Sequence, residues 1–120
     1  MRVAVSQFAT SLNAQENLAS CIRMINEAAV CKPSVIVLPQ YCNTQPWYTD
    51  HNQAWNEALT DDGEFLQAIA KHAKKHACYI VLGVTLRREQ AKKEQRAPAQ
   101  SEVKSNISIT SCLFSPQGEL

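Results

Sequence analysis

Apolar positions in this chain follow two different periods, and the switches between them mark the elements. Residues 3–8 form a short β-branched and apolar run, which predicts a first strand. Asn13 followed by Glu16 has the form of a capping box, and Leu18, Cys21, Ile22, Ile25, Ala28 and Ala29 then recur at helical spacing. The spacing predicts a helix over 14–30, stopped by Lys32 and Pro33 because proline disfavours a helical residue before it. Residues 35–38 are continuously apolar, as expected of a central strand buried on both faces. The pattern weakens over 41–60, with a short helix expected near 51–59. A second clear helix opens at Asp61, Asp62 and Glu64, where acidic side chains suit its positive end. Its apolar face is Phe65, Leu66, Ile69, Ala70, Ala73 and Ala77, and Lys71, Lys74 and Lys75 lie toward its negative end.

Residues 79–86 predict a third strand. Residues 87–105 are polar, of mixed charge and without apolar period, and read as a solvated loop. Alternation over 106–114 predicts a half-exposed strand, and Ser115, Pro116 and Gly118 supply turn chemistry. The order strand, helix, strand, helix, strand, strand implies an α/β fold with a mixed sheet and flanking helices.

Length and composition narrow the possibilities. One domain at most fits in 120 residues, and 45% hydrophobic residues with three glycines mark a globular chain. A formal charge of +1 gives no reason to expect nucleic acid or an anionic membrane as partner. No apolar run approaches the roughly 18 residues of a membrane span, and the first residues lack the features of a signal peptide. Five cysteines at irregular spacing therefore read as free, buried thiols in a reducing cytoplasm.

Candidate chemistry centres on residue 40. The apolar run 35–38 passes directly into Pro39 and Gln40, and α/β proteins place chemistry at the carboxyl ends of their strands. Cys42 lies two residues on, as a packed loop thiol or a reactive one. Trp47, Tyr48 and Trp55 either pack the long loop or line a pocket, since aromatics combine contact area with a polar handle. His72 and His76, four apart with Cys78 nearby, have the spacing of a metal-binding pair, but the adjacent Lys71, Lys74 and Lys75 repel a cation and favour a solvated helix face. The basic residues of 87–96 favour a solvated loop over a nucleic-acid patch for want of a one-signed folded face.

The chain resembles the N-terminal half of a nitrilase-superfamily (carbon–nitrogen hydrolase) protein. Val3 to Phe8, ending near Gln7, is similar to the family's opening strand, and Glu16, Asn17 and Leu18 to the start of its first helix. Val35 to Gln40 resembles the strand that ends Leu-Pro-Glu, with Gln40 in place of Glu. Residues 79–84 and 106–120 resemble its third strand and following hairpin. The resemblance implies half of an αββα sandwich and hydrolysis of amide, nitrile or N-carbamoyl groups by a Cys, Lys and Glu, with no cofactor or metal. A thiolate attacks the carbon, a carboxylate moves the proton and an ammonium steadies the oxyanion.

It implies also that Gln40 occupies the general-base position without basicity, because an amide accepts no proton at neutral pH. Tyr41, Trp47 and Tyr48 are then expected beside a small amide or nitrile substrate. The family's Lys and Cys lie further along than Leu120, and none of the five cysteines here falls at the nucleophile's place. The expectation is a partial domain over 1–120, inactive by itself. The alternative is a non-catalytic module that pairs with a full-length homologue through an open sheet edge, as a homo- or hetero-oligomer.

Overall fold

A computed structural model describes residues 1–45, 49–88 and 107–120. Its described elements run β1 (Val3–Val5), α1 (Ala14–Ala29), β2 (Val35–Val37), α2 (His51–Glu57), α3 (Glu64–His76), β3 (Tyr79–Arg87) and β4 (Ile107–Phe114). The strands form one sheet in the order β1-β2-β3-β4. β1 and β3 flank β2 in parallel, and β4 joins β3 antiparallel. The two strand–helix–strand crossovers and the final antiparallel pair expected from the sequence are all present.

Local chemistry sets the helix ends. Asn13 is extended, and its side-chain oxygen accepts from the backbone N–H groups of Gln15 and Glu16 at 2.9 and 3.1 Å. This satisfies two of the donors that a helix start leaves open. The return half of the capping box does not form. The Glu16 carboxylate instead accepts the Ser11 hydroxyl at 3.0 Å, and the Asn13 N–H donates to Ser11 Oγ. α2 is capped by Asp50, whose carboxylate accepts from Gln53 N at 2.8 Å. α3 starts at Gly63 without a side-chain cap and ends at Ala77 in the left-handed region, φ 51°. Ala77 is therefore an exposed C-cap rather than part of the buried face.

The core lies on one side of the sheet. Ile36, Leu38, Ile80, Leu82, Val84, Cys112 and Phe114 share a cluster with Cys21 and Ile25 of α1 and Phe65, Leu66, Ile69 and Ala73 of α3. Strand side chains alternate between faces, so the intervening positions point the other way. Val5, Val37, Val81 and Leu113 stand in register across all four strands on that outer face. Val5 is 76% exposed and Leu113 51%, while Val35, Val37 and Val81 are half-buried. The expectation that β2 is buried on both faces is thus corrected: among the described residues its second face has no full cover. In β4 the apolar alternation is likewise turned outward, with Ile109 and Leu113 exposed and Cys112 and Phe114 buried.

Several boundaries shift, that of α3 among them, which starts at Glu64 rather than at Asp61. Arg87 belongs to β3, paired with Ile107, rather than to the loop expected over 87–105, and residues 89–106 lie outside the described residues. β1 is shorter than expected, although Ser6 N still donates to Val37 O at 2.9 Å. The turn after β4 is as expected: Gly118, φ 82°, donates to Ser115 O at 2.8 Å.

The two faces predict different mutational costs. Leu82→Ala, at a fully buried inner position, should destabilise by about 2–5 kcal/mol. Val5→Thr on the outer face should stay within about 0.5 kcal/mol. Urea unfolding followed by circular dichroism measures both, and a cost at Val5 near that at Leu82 would contradict this division of the sheet.

Candidate functional site

Beyond Val37 the chain keeps following β3 but ceases to be a regular strand. Leu38 N donates to Val81 O at 2.8 Å, Gly83 N to Pro39 O at 3.1 Å and Cys42 N to Gly83 O at 2.7 Å. Pro39, Gln40 and Tyr41 thus bulge between two points of attachment to Gly83. Tyr41 takes φ 58°, a left-handed conformation that costs a side-chain-bearing residue about 1–2 kcal/mol. Gln40 is exposed and Tyr41 half-buried.

The bulge is possible because position 83 has no side chain. A Cβ there would lie 2.8 Å from Gln40 Cα and 3.2 Å from its Cγ. That direction is opposite to the buried Leu82 and Val84, so Gln40 sits over the outer face of β3. The strand-end amide and the apolar row of Val5, Val37, Val81 and Leu113 share one side of the sheet.

A buried carboxamide network fixes the turn from below. Asn43 is fully buried. Its Nδ2 donates to Glu57 O and to Thr85 Oγ1, both at 2.9 Å, and its Oδ1 accepts from Thr85 N at 3.0 Å. Its backbone carbonyl accepts from Asn17 Nδ2 at 2.9 Å. Asn17, 1% exposed on α1, also donates to Ser11 O at 2.9 Å and accepts from Ser11 N at 2.7 Å. Every side-chain hydrogen-bonding direction of Asn43 but one acceptor lone pair is thereby used, which is what makes a buried amide tolerable. Sequence reasoning missed all three members, Asn17, Asn43 and Thr85. Asn17 did carry a signal, since it stands at helical spacing with the buried Cys21 and Ile25. Asn43 and Thr85 carried none, because their partners are distant in sequence.

Other candidates resolve differently. Cys42 is fully buried, and its thiol donates to Pro39 O at 2.9 Å, so it packs inside the turn. Hydrogen bonding with Cys42 first, and burial second, pushes the Cys21 thiol far above its ordinary value. Burial raises Cys78 and Cys112 as well. All five cysteines are free, with Cys31 exposed, a correction to the expectation that all are buried. Trp55 lies under the Arg87 guanidinium, 4.8 Å from carbon to ring centre, and its carbonyl accepts from Arg87 Nε at 2.9 Å. Trp47 and Tyr48 lie outside the described residues.

His72 and His76 come together, with ring centres 6.3 Å apart. They are not a simply solvated face. His72 Nδ1 donates to Ala68 O at 2.8 Å, and His76 Nε2 donates to Asn26 Oδ1 of α1 at 2.9 Å. Partial burial, then the charges of Lys75 and His72, lower the His76 pKa. Among the described residues no group of three or more His, Cys, Asp or Glu is placed to hold a metal ion. Two clefts, of about 260 and 590 Å³, open between the start of α1 and the segment leading into α3, and neither is lined by residue 40. No described helix is long and apolar enough to cross a membrane.

At position 40 the structure offers a carboxamide: it donates and accepts hydrogen bonds but takes up no proton at neutral pH. Comparison with known proteins gives this site a context. The family model for carbon–nitrogen hydrolase matches residues 2–120. No curated protein matches the chain. Among solved structures, the NitFhit protein of C. elegans is similar with a TM-score of 0.73 at 19% identity, over 97% of this chain and 25% of its own. An N-terminal amidase superposes with a TM-score of 0.75 at 14% identity, over 98% and 26%. XC1258 of Xanthomonas campestris, a CN-hydrolase superfamily protein, gives 0.70 at 18%, over 98% and 37%. These likenesses show the shared fold, and the chain spans about a quarter of the first two proteins.

The close approach at Gly83 gives a direct test. Gly83→Ala should displace Gln40 and destabilise the chain by about 1–3 kcal/mol, the usual cost of overpacking. Amide chemical shifts should move at residues 39–42 on the adjoining turn. A variant with unchanged stability and shifts would show that the backbone does not pass this close.

Proposed function

This chain belongs to the carbon–nitrogen hydrolase family, and from that premise we propose that its parent activity is hydrolysis of a non-peptide C–N bond in a small amide, nitrile or N-carbamoyl compound. Residue 40 is the general-base position of that reaction. The observation that carries the reading is the exposed Gln40 side chain at the end of β2, lifted over Gly83 onto the open sheet face. Tyr41, Trp47 and Tyr48 border the substrate. The partner is a small molecule, and neither nucleic acid nor a membrane is part of the reading. Five free cysteines suit a reducing cytoplasm.

The same reading makes this polypeptide inactive by itself. Hydrolysis needs a thiolate to attack the carbon, a base to take and return the proton, and a cation beside the oxyanion. Gln40 supplies no base. Cys42, the thiol nearest in sequence, is buried with its S–H directed to Pro39 O.

A second reading, in which the chain serves as a binding module for its own kind, is favoured by one observation. Val3, Val5, Ile109 and Leu113 are all exposed on the same face of the sheet. Apolar surface gathered in this way marks contact surfaces more often than free ones. β4 also pairs only with β3 among the described residues, which leaves backbone groups available along its other edge.

Incubation of the purified chain with amides, nitriles and N-carbamoyl amino acids should give no turnover above a thiol-alkylated control. In a form extended to include the family's Lys and Cys, Gln40→Glu should raise the rate by about 10²–10⁴. Equal rates for Gln and Glu would remove position 40 from the reaction. Light scattering after size-exclusion chromatography separates the second reading: a monodisperse dimer supports it and a monomer opposes it.

A further inference from the structure

We propose that Asn43 is the positioning residue of the strand-end site, acting through the backbone of the turn on the side chain at position 40. This rests on the reading of residue 40 as the functional position, and it adds what holds that residue in place. Gln40 is exposed, and among the described residues no hydrogen bond holds its side chain. Its neighbour Tyr41 holds a left-handed backbone conformation that the residue type does not favour. The shape of the turn is therefore imposed from outside.

Three attachments impose it. Gly83 accepts the Cys42 N–H and donates to Pro39 O, closing the bulge. The Cys42 thiol crosses the turn to Pro39 O. The Gly83 pair stays within the turn and β3, and the Cys42 thiol adds a contact with Cys21 of α1. Asn43 reaches further, because it is bonded to three other segments at once: β3 through both the N–H and the hydroxyl of Thr85, the end of α2 through Glu57 O, and α1 through Asn17. A buried amide satisfied in this way has one compatible orientation, since rotating it would strand donors and acceptors without water. The residue that follows Cys42 is thus fixed relative to two helices and the central strand, and the strained backbone at Tyr41 cannot relax without breaking these bonds.

Asn17 extends the hold. Its side chain joins the loop before α1 to the carbonyl of Asn43, so the start of α1 and the strand end move as one body. Thr85 matters through its hydroxyl as well as its N–H, and so is separable by an isosteric change.

Nuclear magnetic resonance on the whole 120-residue chain tests this without any activity. A positive φ at Tyr41 brings its own H–N and Hα close and gives a strong intraresidue cross-peak. In Asn43→Ala that cross-peak should weaken to the level of its extended neighbours, and the Gln40 side-chain amide should shift. Ile25→Val, a core change on α1 outside the network, should lower stability and leave both signals in place; a merely structural role for Asn43 predicts the same outcome for both variants. Where Asn43→Ala fails to fold, Thr85→Val decides, with partial loss of the Tyr41 cross-peak expected. Retention of the wild-type signals in the folded Asn43 variant, or in Thr85→Val when that variant decides, overturns the proposal. Failure of Gln40→Glu to raise turnover would count against the functional reading alone and leave the positioning result standing.

Discussion

The approach of the chain to Gly83 is the constraint from which the candidate site follows. A parallel strand normally leaves its neighbour in a straight continuation, with side chains alternating across the two faces. Here β2 ends, and the next residues bulge over β3 because nothing projects from position 83. Any side chain there would occupy the space that Gln40 Cα fills. The bulge in turn requires Tyr41 in the left-handed region, and that backbone persists because Cys42 and Asn43 are fixed on its far side. Glycine, strained tyrosine and buried asparagine form one mechanical unit.

The sheet divides labour between its faces. The inner face carries the core against α1 and α3, where burial of Ile25, Ile36, Leu66, Ile69, Ile80 and Leu82 supplies the driving force for folding. The outer face bears a row of valines and a leucine that this burial does not use. Residue 40 projects over that second face. The polar candidate therefore stands at the margin of an apolar surface, a setting in which hydrogen bonds strengthen once water is excluded. The clefts on the helix side belong to a different part of the molecule.

At position 40 the chain carries a carboxamide. Replacement of a carboxylate by a carboxamide keeps size and hydrogen-bonding geometry while removing the ability to bind a proton. The chain belongs to the carbon–nitrogen hydrolase family, and the proposed reading assigns residue 40 the general-base position. The likeness to solved structures at 14–19% identity concerns the path of the backbone.

The elements themselves were legible in the sequence. Helical spacing from Leu18 to Ala29 and from Phe65 to Ala73, the Asn13 cap, and the apolar runs of β2 and β3 are local patterns, enforced by backbone geometry that any reader of the sequence can apply. The position of Gln40 at a strand end was legible for the same reason. What the sequence left open depended on distant partners. The left-handed backbone of Tyr41 has no local signature, since tyrosine does not favour it. Asn17, Asn43 and Thr85 look like ordinary polar residues until folding places them together, 26 and 42 positions apart. Likewise, alternation in β4 announces two faces without saying which is covered, and only the packing of α1 and α3 on one side decides that Cys112 and Phe114 go in while Ile109 and Leu113 stay out. Periodicity is a property of neighbours along the chain, whereas burial and hydrogen-bond satisfaction are properties of neighbours in space.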